Sequence, residues 1–279
     1  MEIQKKEIKR ILNPTSIDLG DYVINPYKGC QYACLYCYVR FNKVTLKDKR
    51  EWGSFVDVRI NGPELLEREL KQKKPQKVLL GSTTDCFQPC EQEYGLTRKI
   101  LEILNKNKIY YTILTRSPEI IHSIPILKKG YCNNIYFTVN CFSADLKGLL
   151  EPKSPAFKSR VEAMRLLNEN KIPVVPYISP VLPHITEFDH IFSWFPFLPE
   201  IESEGLNFNL GNIEKIILEI KKQKPEIGKI YENMHKDSEI YKNIWQKIKT
   251  FSIKAAIKHK KKHKIFIHRH NAYFHNTYT

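Results

Sequence analysis

Residues 30–37 read Cys30-Gln31-Tyr32-Ala33-Cys34-Leu35-Tyr36-Cys37, three cysteines at C-x3-C-x2-C spacing with an aromatic residue before the last. They follow a short apolar strand candidate, Tyr22–Ile24. Three close thiolates can hold three irons of a cubane cluster and leave the fourth iron without a protein ligand, whereas clusters kept for electron transfer usually take four cysteines. The open position suits a substrate or a second cofactor. A structural zinc site or a set of buried thiols is the competing reading. Zinc normally takes four ligands, often as paired C-x2-C knuckles, and no second knuckle or C…H-x3-H partner stands at a suitable distance in the chain.

Outward from this loop, composition sets the bounds. The chain has 279 residues, 42% of them hydrophobic, enough for one sizeable core or a barrel-like domain with an extension. No run of eighteen apolar residues is present, so no membrane span is expected. The opening MEIQKKEIKRILNP is charged and lacks an apolar signal core. An odd count of seven cysteines, three of them in a ligand-like group, fits a reducing cytoplasm better than a disulfide scaffold. The formal net charge is +15, and residues 250–279 contribute seven Lys or Arg and no acid. A basic surface attracts phosphate backbones through counterion release. A lysine-rich composition with solvated helix faces produces the same excess.

Apolar runs alternate with helical periodicity along most of the chain. Strand candidates fall at Tyr22–Ile24, Val78–Leu80, Tyr110–Leu114, Ile135–Val139 and Pro173–Ile178, with a weaker sixth at Leu206–Leu210. Helices are expected over Gly62–Lys73, Leu96–Asn107, Glu119–Lys129 and Arg160–Asn170. Such alternation favours a parallel sheet. The chemistry-capable clusters follow the strands: the cysteine loop after the first, Gly81-Ser82-Thr83-Thr84-Asp85 after the second, Thr115-Arg116-Ser117 after the third, Asn140-Cys141 after the fourth and Ser179–Pro183 after the fifth. In a parallel β/α barrel the carboxyl ends of the strands converge on one face, where such folds build their sites. Six strands rather than eight predict an α/β fold, a partial (β/α)6 TIM-like barrel open on one side. The expected organisation is a lead-in over 1–20, the partial barrel over 21–211 and a basic helical and strand extension over 212–279.

Further strings add a family likeness. Asn25-Pro-Tyr-Lys-Gly-Cys30, Cys37-Tyr-Val-Arg40, Leu80-Gly-Ser-Thr-Thr-Asp85 with Gln88-Pro89, and Glu151-Pro152 with Pro155 together resemble the spore photoproduct lyase-like branch of the radical S-adenosylmethionine (SAM) superfamily. The likeness runs from about residue 13 to 185. It implies a [4Fe-4S] cluster on Cys30, Cys34 and Cys37, with SAM chelated by the open iron and Tyr36 packed against its adenine. It implies one-electron cleavage of SAM to methionine and a 5′-deoxyadenosyl radical that abstracts hydrogen from substrate, so that the cofactor carries the difficult chemistry. Thr84 and Asp85 would meet the SAM amino group or ribose, Arg116 its carboxylate, and Thr138 or Asn140 the ribose hydroxyls. Asp85 as a cap of the following segment and Arg116 as a rim charge are the structural alternatives. An electron donor such as flavodoxin or ferredoxin is implied as a partner.

One departure bears on the reaction. Lyases of this branch carry a cysteine on the second-strand loop that returns a hydrogen to the product radical, and here that position reads Ser82, whose O–H bond is too strong for easy hydrogen-atom donation. Cys86 is the candidate replacement donor; a different reaction needing no thiol is the alternative. Cys86, Cys90, Cys132 and Cys141 number four, but Cys132 is expected at the far end of the fourth strand, so incidental thiols explain them better than a second cluster. The terminus combines Lys258–Lys264, His268, Arg269, His270, Tyr273 and His275, a mixture suited to phosphate contact and base stacking. His259 and His263, spaced i, i+4, are surrounded by lysines that disfavour a bound cation. The expected substrate is a nucleic acid, with DNA lesion repair the first reading. RNA, a peptide or a small metabolite is the rival within the same chemistry, and a cluster-bearing redox or binding protein that never turns SAM over is the rival outside it.

Overall fold

A computed structural model describes residues 1–270, and the chain divides into two compact units. The first comprises residues 1–33, 47–138 and 153–175; the second comprises 34–46, 139–152 and 176 onward. Tyr273 and His275 lie outside the described residues.

In the first unit eight strands form two sheets. They are β1 (Glu2–Lys6), β2 (Asn13–Pro14), β3 (Tyr22–Ile24), β4 (Tyr27–Lys28), β5 (Phe55–Arg59), β6 (Lys77–Leu80), β7 (Tyr110–Thr115) and β8 (Cys132–Thr138). A small sheet has the order β1-β5-β4, with β1 parallel and β4 antiparallel to β5. The charged opening is therefore not only a lead-in: Glu2–Lys6 is an edge strand whose side chains are mostly exposed, which is why its sequence carries no apolar signature. The larger run is β2-β3-β6-β7-β8, parallel from β3 onward. Val78, Leu79 and Leu80 of β6 and Tyr111 and Ile113 of β7 are fully buried, the uninterrupted apolar habit of parallel strands covered on both faces. The helix Leu96–Lys106 buries Leu96, Ile100, Leu101 and Leu104 along one stripe. The expected helix over Glu119–Lys129 is instead a 3-10 turn, Pro118–Ser123, running into a short helix, Ile124–Leu127. Pro118 and Pro125 stand near the starts of these two pieces; each fits a first turn, where its missing N–H costs nothing.

Strand β9 (Val174–Val181) begins in the first unit and continues in the second, where β10 (Glu200–Gly205) and β11 (Lys262–Phe266) follow in the order β9-β10-β11, all parallel. The sixth strand is thus Glu200–Gly205 and not Leu206–Leu210. Its sequence, EIESEG, alternates Glu with Ile, Ser and Gly, so one face is acidic and half-exposed while Ile201, Ser203 and Gly205 point inward. Hydrophobicity scanning misses a strand whose buried side is that small. A Cβ on Gly205 would lie 2.6 Å from the Trp245 ring, so the inward face is small because an indole fills the space. Trp245 belongs to the helix Ser238–Lys258, whose start is capped by Asp237, its carboxylate accepting from the amides of Glu239 and Ile240. Among the described residues neither set of strands closes into a barrel. The architecture is α/β on parallel strands, as the alternation predicts. No helix is long and apolar enough to cross a membrane among the described residues.

Candidate active site

The cysteine loop leaves β4 through Gly29, whose φ of +89° and whose missing Cβ, which would sit 2.3 Å from the Phe55 carbonyl oxygen, leave room for no other residue. Beside it Lys28 pairs with Asp48, and Arg50 forks onto Asp48 and Asp57 while stacking 3.9 Å over the Phe55 ring. Arg50 and Lys28 hold the Asp48 carboxyl well below the ordinary carboxylate range. This ion network braces the strand pair from which the loop departs.

Within the first unit the loop's opening residues are tied to the segment after β6. Gln88, fully buried, accepts from the Gln31 amide through Oε1 (2.8 Å) and donates from Nε2 to Thr84 Oγ1 (2.9 Å). Thr84 Oγ1 donates to the Gly29 carbonyl (2.6 Å), and Gln31 Oε1 accepts from the Cys90 amide (2.7 Å). Asn25 Oδ1 accepts from the Thr83 amide and its Nδ2 donates to Ser82 Oγ (3.2 Å), so the serine at the expected cysteine position is buried within the loop's own support. Asp85 is likewise enclosed: its carboxylate accepts from the Phe87 and Arg116 amides and from Thr115 Oγ1, joining the ends of β6 and β7. Burial raises the Asp85 carboxyl, against the pull of those donors. The structure therefore gives Asp85 the local cap that was its alternative reading and brings it to the backbone of Arg116. Thr138 closes β8 and is half-buried.

Cys86 has no exposed surface, and burial pushes its thiol up. A raised pKa keeps the S–H form that hydrogen donation needs. Burial likewise pushes the Cys90 and Cys132 thiols up to about 12. Cys132 opens β8, at its amino end. Cys141, in the second unit, is half-buried with its thiol raised by burial and by Glu187.

Within the second unit, Cys34–Cys37 form a turn running into the 3-10 helix Tyr38–Phe41, with the Cys37 amide donating to the Cys34 carbonyl (3.3 Å). Arg40 Nε donates to the Cys34 carbonyl, the Leu35 amide to the Leu150 carbonyl (3.0 Å), and Asn212 Nδ2 to the Leu35 carbonyl (2.8 Å). The Tyr36 hydroxyl donates to Glu151 Oε1, the same oxygen that accepts from Asn140 Nδ2 at 2.9 Å. Asn140 Nδ2 also reaches the Ser179 carbonyl (2.8 Å), and Ser179 Oγ donates to Glu204, which His268 meets at 3.0 Å. Hydrogen bonds from His268, Ser179 and Tyr177 outweigh burial and hold the Glu204 carboxyl low. Two expected cofactor residues, Tyr36 and Asn140, thus converge on Glu151. Gln88 and Glu151 stand in the family-like strings of the sequence without an assigned role; the signal was present as a polar residue beside a proline, while the partners were not.

None of the seven cysteines is in a disulfide. No three His, Cys, Asp or Glu side chains are gathered as a preformed metal site among the described residues, so the fit of Cys30, Cys34 and Cys37 to a cluster rests on donor chemistry: three thiols on one loop.

The radical SAM superfamily model matches residues 24–194, well over half of the chain. The protein belongs to the radical SAM superfamily and is an enzyme of that type, which implies SAM and an iron–sulfur cluster. An uncharacterised protein of Methanocaldococcus jannaschii is 36% identical over 191 residues, covering 68% of this chain and 72% of that one. A protein of Acidianus two-tailed virus, also uncharacterised, is 29% identical over 177 residues, covering 60% of this chain and 58% of that one. Among solved structures, a spore photoproduct lyase variant with bound AdoMet and dinucleoside spore photoproduct superposes with a TM-score of 0.60 at 16% identity, covering 80% of this chain and 66% of the lyase. The lyase-like branch expected from the sequence is met here in the fold; the chain spans just under two thirds of the lyase's length.

Proposed function

We propose that Cys30, Cys34 and Cys37 hold a [4Fe-4S] cluster, that SAM binds at it, and that the substrate is a nucleic acid, with lyase-type repair of a DNA lesion the reaction. The observation that carries the reading is the three-thiol loop in a radical SAM chain, a donor set one short of a closed cluster. When bound, the cluster and SAM supply one-electron cleavage to a 5′-deoxyadenosyl radical, the hydrogen-abstracting species. This chain's residues do the rest: the Gln31–Gln88–Thr84 and Tyr36–Glu151–Asn140 networks fix the two parts of the loop. Thr84, Asp85, Arg116 and Thr138 remain the further candidates for holding SAM, and a flavodoxin or ferredoxin the electron donor.

The nucleic-acid assignment draws on the net charge of +15 and on the fold shared with a lyase that binds a dinucleoside photoproduct. Part of the terminal charge is answered internally, since Lys264 of β11 lies 3.8 and 3.7 Å from Glu200 and Glu202 of β10. The expected footprint is therefore smaller than the lysine count suggests. Binding of ultraviolet-damaged oligonucleotides measured against salt tests it. A log–log slope of about −0.7 per phosphate contacted on single strands, with deoxyadenosine formation stimulated by the damaged strand, supports repair. Binding indifferent to salt and damage removes the nucleic acid and leaves a peptide or small metabolite.

A further inference from the structure

We propose that Glu151 is a positioning residue for the cofactor-binding part of the cysteine loop, presenting a buried hydrogen-bond acceptor on Asn140 to SAM. The inference rests on the SAM reading above and goes beyond it, because Glu151 is one residue removed from any group expected to touch cofactor.

The geometry is specific. Glu151 and Asn140 are almost wholly buried, at 1% and 5% exposure. Glu151 Oε1 receives both the Tyr36 hydroxyl and Asn140 Nδ2, so a single carboxylate oxygen sets the ring of the residue preceding Cys37 and the amide at the end of β8. The orientation of the Asn140 amide is settled by chemistry: a carboxylate oxygen and the Ser179 carbonyl both accept and cannot donate, so the nitrogen must face them. Its Oδ1 is then directed elsewhere, and this atom is buried without any hydrogen-bond partner. Buried acceptors left unmade are costly. An acceptor fixed in direction by its own amide nitrogen, and left unmatched by the protein, suits a ligand hydroxyl or amine, and the ribose of SAM carries such donors. Leu150, adjacent to Glu151, accepts the Leu35 amide, so the same two-residue segment grips backbone and side chain of the loop together. Removing the carboxylate would take this shared acceptor from Tyr36 and from Asn140, leaving the Asn140 amide the Ser179 carbonyl and the Tyr36 hydroxyl, whereas the substitution Glu151→Gln would keep an oxygen able to accept from both.

The test uses the full-length protein with its cluster reconstituted anaerobically. SAM affinity is measured by equilibrium dialysis, and the electron paramagnetic resonance spectrum of the reduced cluster is recorded with and without SAM. Wild type should bind SAM and change its spectrum. Glu151→Ala should lose about tenfold or more in affinity, as expected for leaving buried polar groups unpaired, and should lose the spectral change while keeping its iron and sulfide. Glu151→Gln should stay within about threefold of wild type, since its amide oxygen still accepts. Tyr36→Phe, which deletes one hydroxyl, should weaken binding by less than Glu151→Ala and add nothing to it in the double variant. In the protein without cluster, Glu151→Ala should speed amide exchange across residues 34–37. Unchanged affinity and spectrum in Glu151→Ala overturns the positioning role alone. Wild type that binds no SAM overturns the cofactor reading, and this inference with it. If Glu151→Ala fails to retain its cluster, Tyr36→Phe with wild-type affinity overturns the proposal.

Discussion

The cysteine loop is held in two chemically different ways. From Gly29 to Ala33 its supports in the first unit are neutral: Gln88, Gln31 and Thr84, each both donating and accepting, with no titrating group in the chain of bonds. From Cys34 to Phe41 its supports in the second unit converge on one carboxylate, Glu151, and run through Ser179 to the Glu204–His268 pair. Neutral amide networks spread their energy over several modest bonds. A carboxylate that accepts twice concentrates it, because hydrogen bonds to charged groups are about twice as strong as neutral ones. The first arrangement suits a fixed foundation. The second suits a part of the loop that must organise a cofactor as well as a cluster.

Breaking the ligand set itself should have the largest effect. Cys34→Ala removes a thiol from the buried position of the loop, and iron and sulfide retained after anaerobic reconstitution should fall to background, read by elemental analysis and the visible charge-transfer band. Gly205→Ala should follow: the added Cβ would meet the Trp245 ring, and overpacking of this kind costs about 1–3 kcal/mol, measurable by urea unfolding. Gln88→Ala strands the Gln31 amide and removes a donor from Thr84 Oγ1, and should cost about 1–3 kcal/mol, with the loss the same at pH 5 and pH 8 because no member of that network titrates in the interval. The effect confined to the narrowest range of conditions is on the pH profile of the second unit. His263 is packed edge-on against Phe188 and Phe192, and burial lowers its imidazole from 6.5 to about 4. The unfolded chain therefore binds the additional proton first as pH falls. Stability is fully present above about 6.5 and declines through that window toward pH 4, by about 3 kcal/mol at most. His263→Gln should flatten this decline in a stability profile, whereas Gln88→Ala should leave its shape alone.

The parts that were legible in the sequence are those where one residue type carries the message locally. The apolar runs of β6, β7, β8 and β9 announce parallel strands, and the cysteine spacing announces the site. Of the strands absent from the sequence reading, two escaped for opposite reasons. Glu200–Gly205 faces inward with Ile, Ser and Gly because Trp245 occupies the space, so its hydrophobic signal lives on a helix forty residues away. Glu2–Lys6 is an edge strand and shows a charged face to water. The same logic separates the site residues. Tyr36 could be named from the family likeness of the cysteine loop, and Asn140 from that likeness together with its place after the fourth strand. That they share Glu151, 115 and 11 residues distant, follows only from the fold. Ser82 illustrates the converse: a departure from the branch pattern at the level of chemistry is, in the structure, a buried acceptor for Asn25.

Radical SAM chemistry at this loop is tested most directly by reconstituting the cluster anaerobically, reducing it with dithionite in the presence of SAM, and assaying 5′-deoxyadenosine chromatographically in wild type and Cys34→Ala. Deoxyadenosine from wild type and none from the variant is the expected result. A fully loaded wild-type cluster that leaves SAM intact would contradict it and mark the chain as a binding or redox protein.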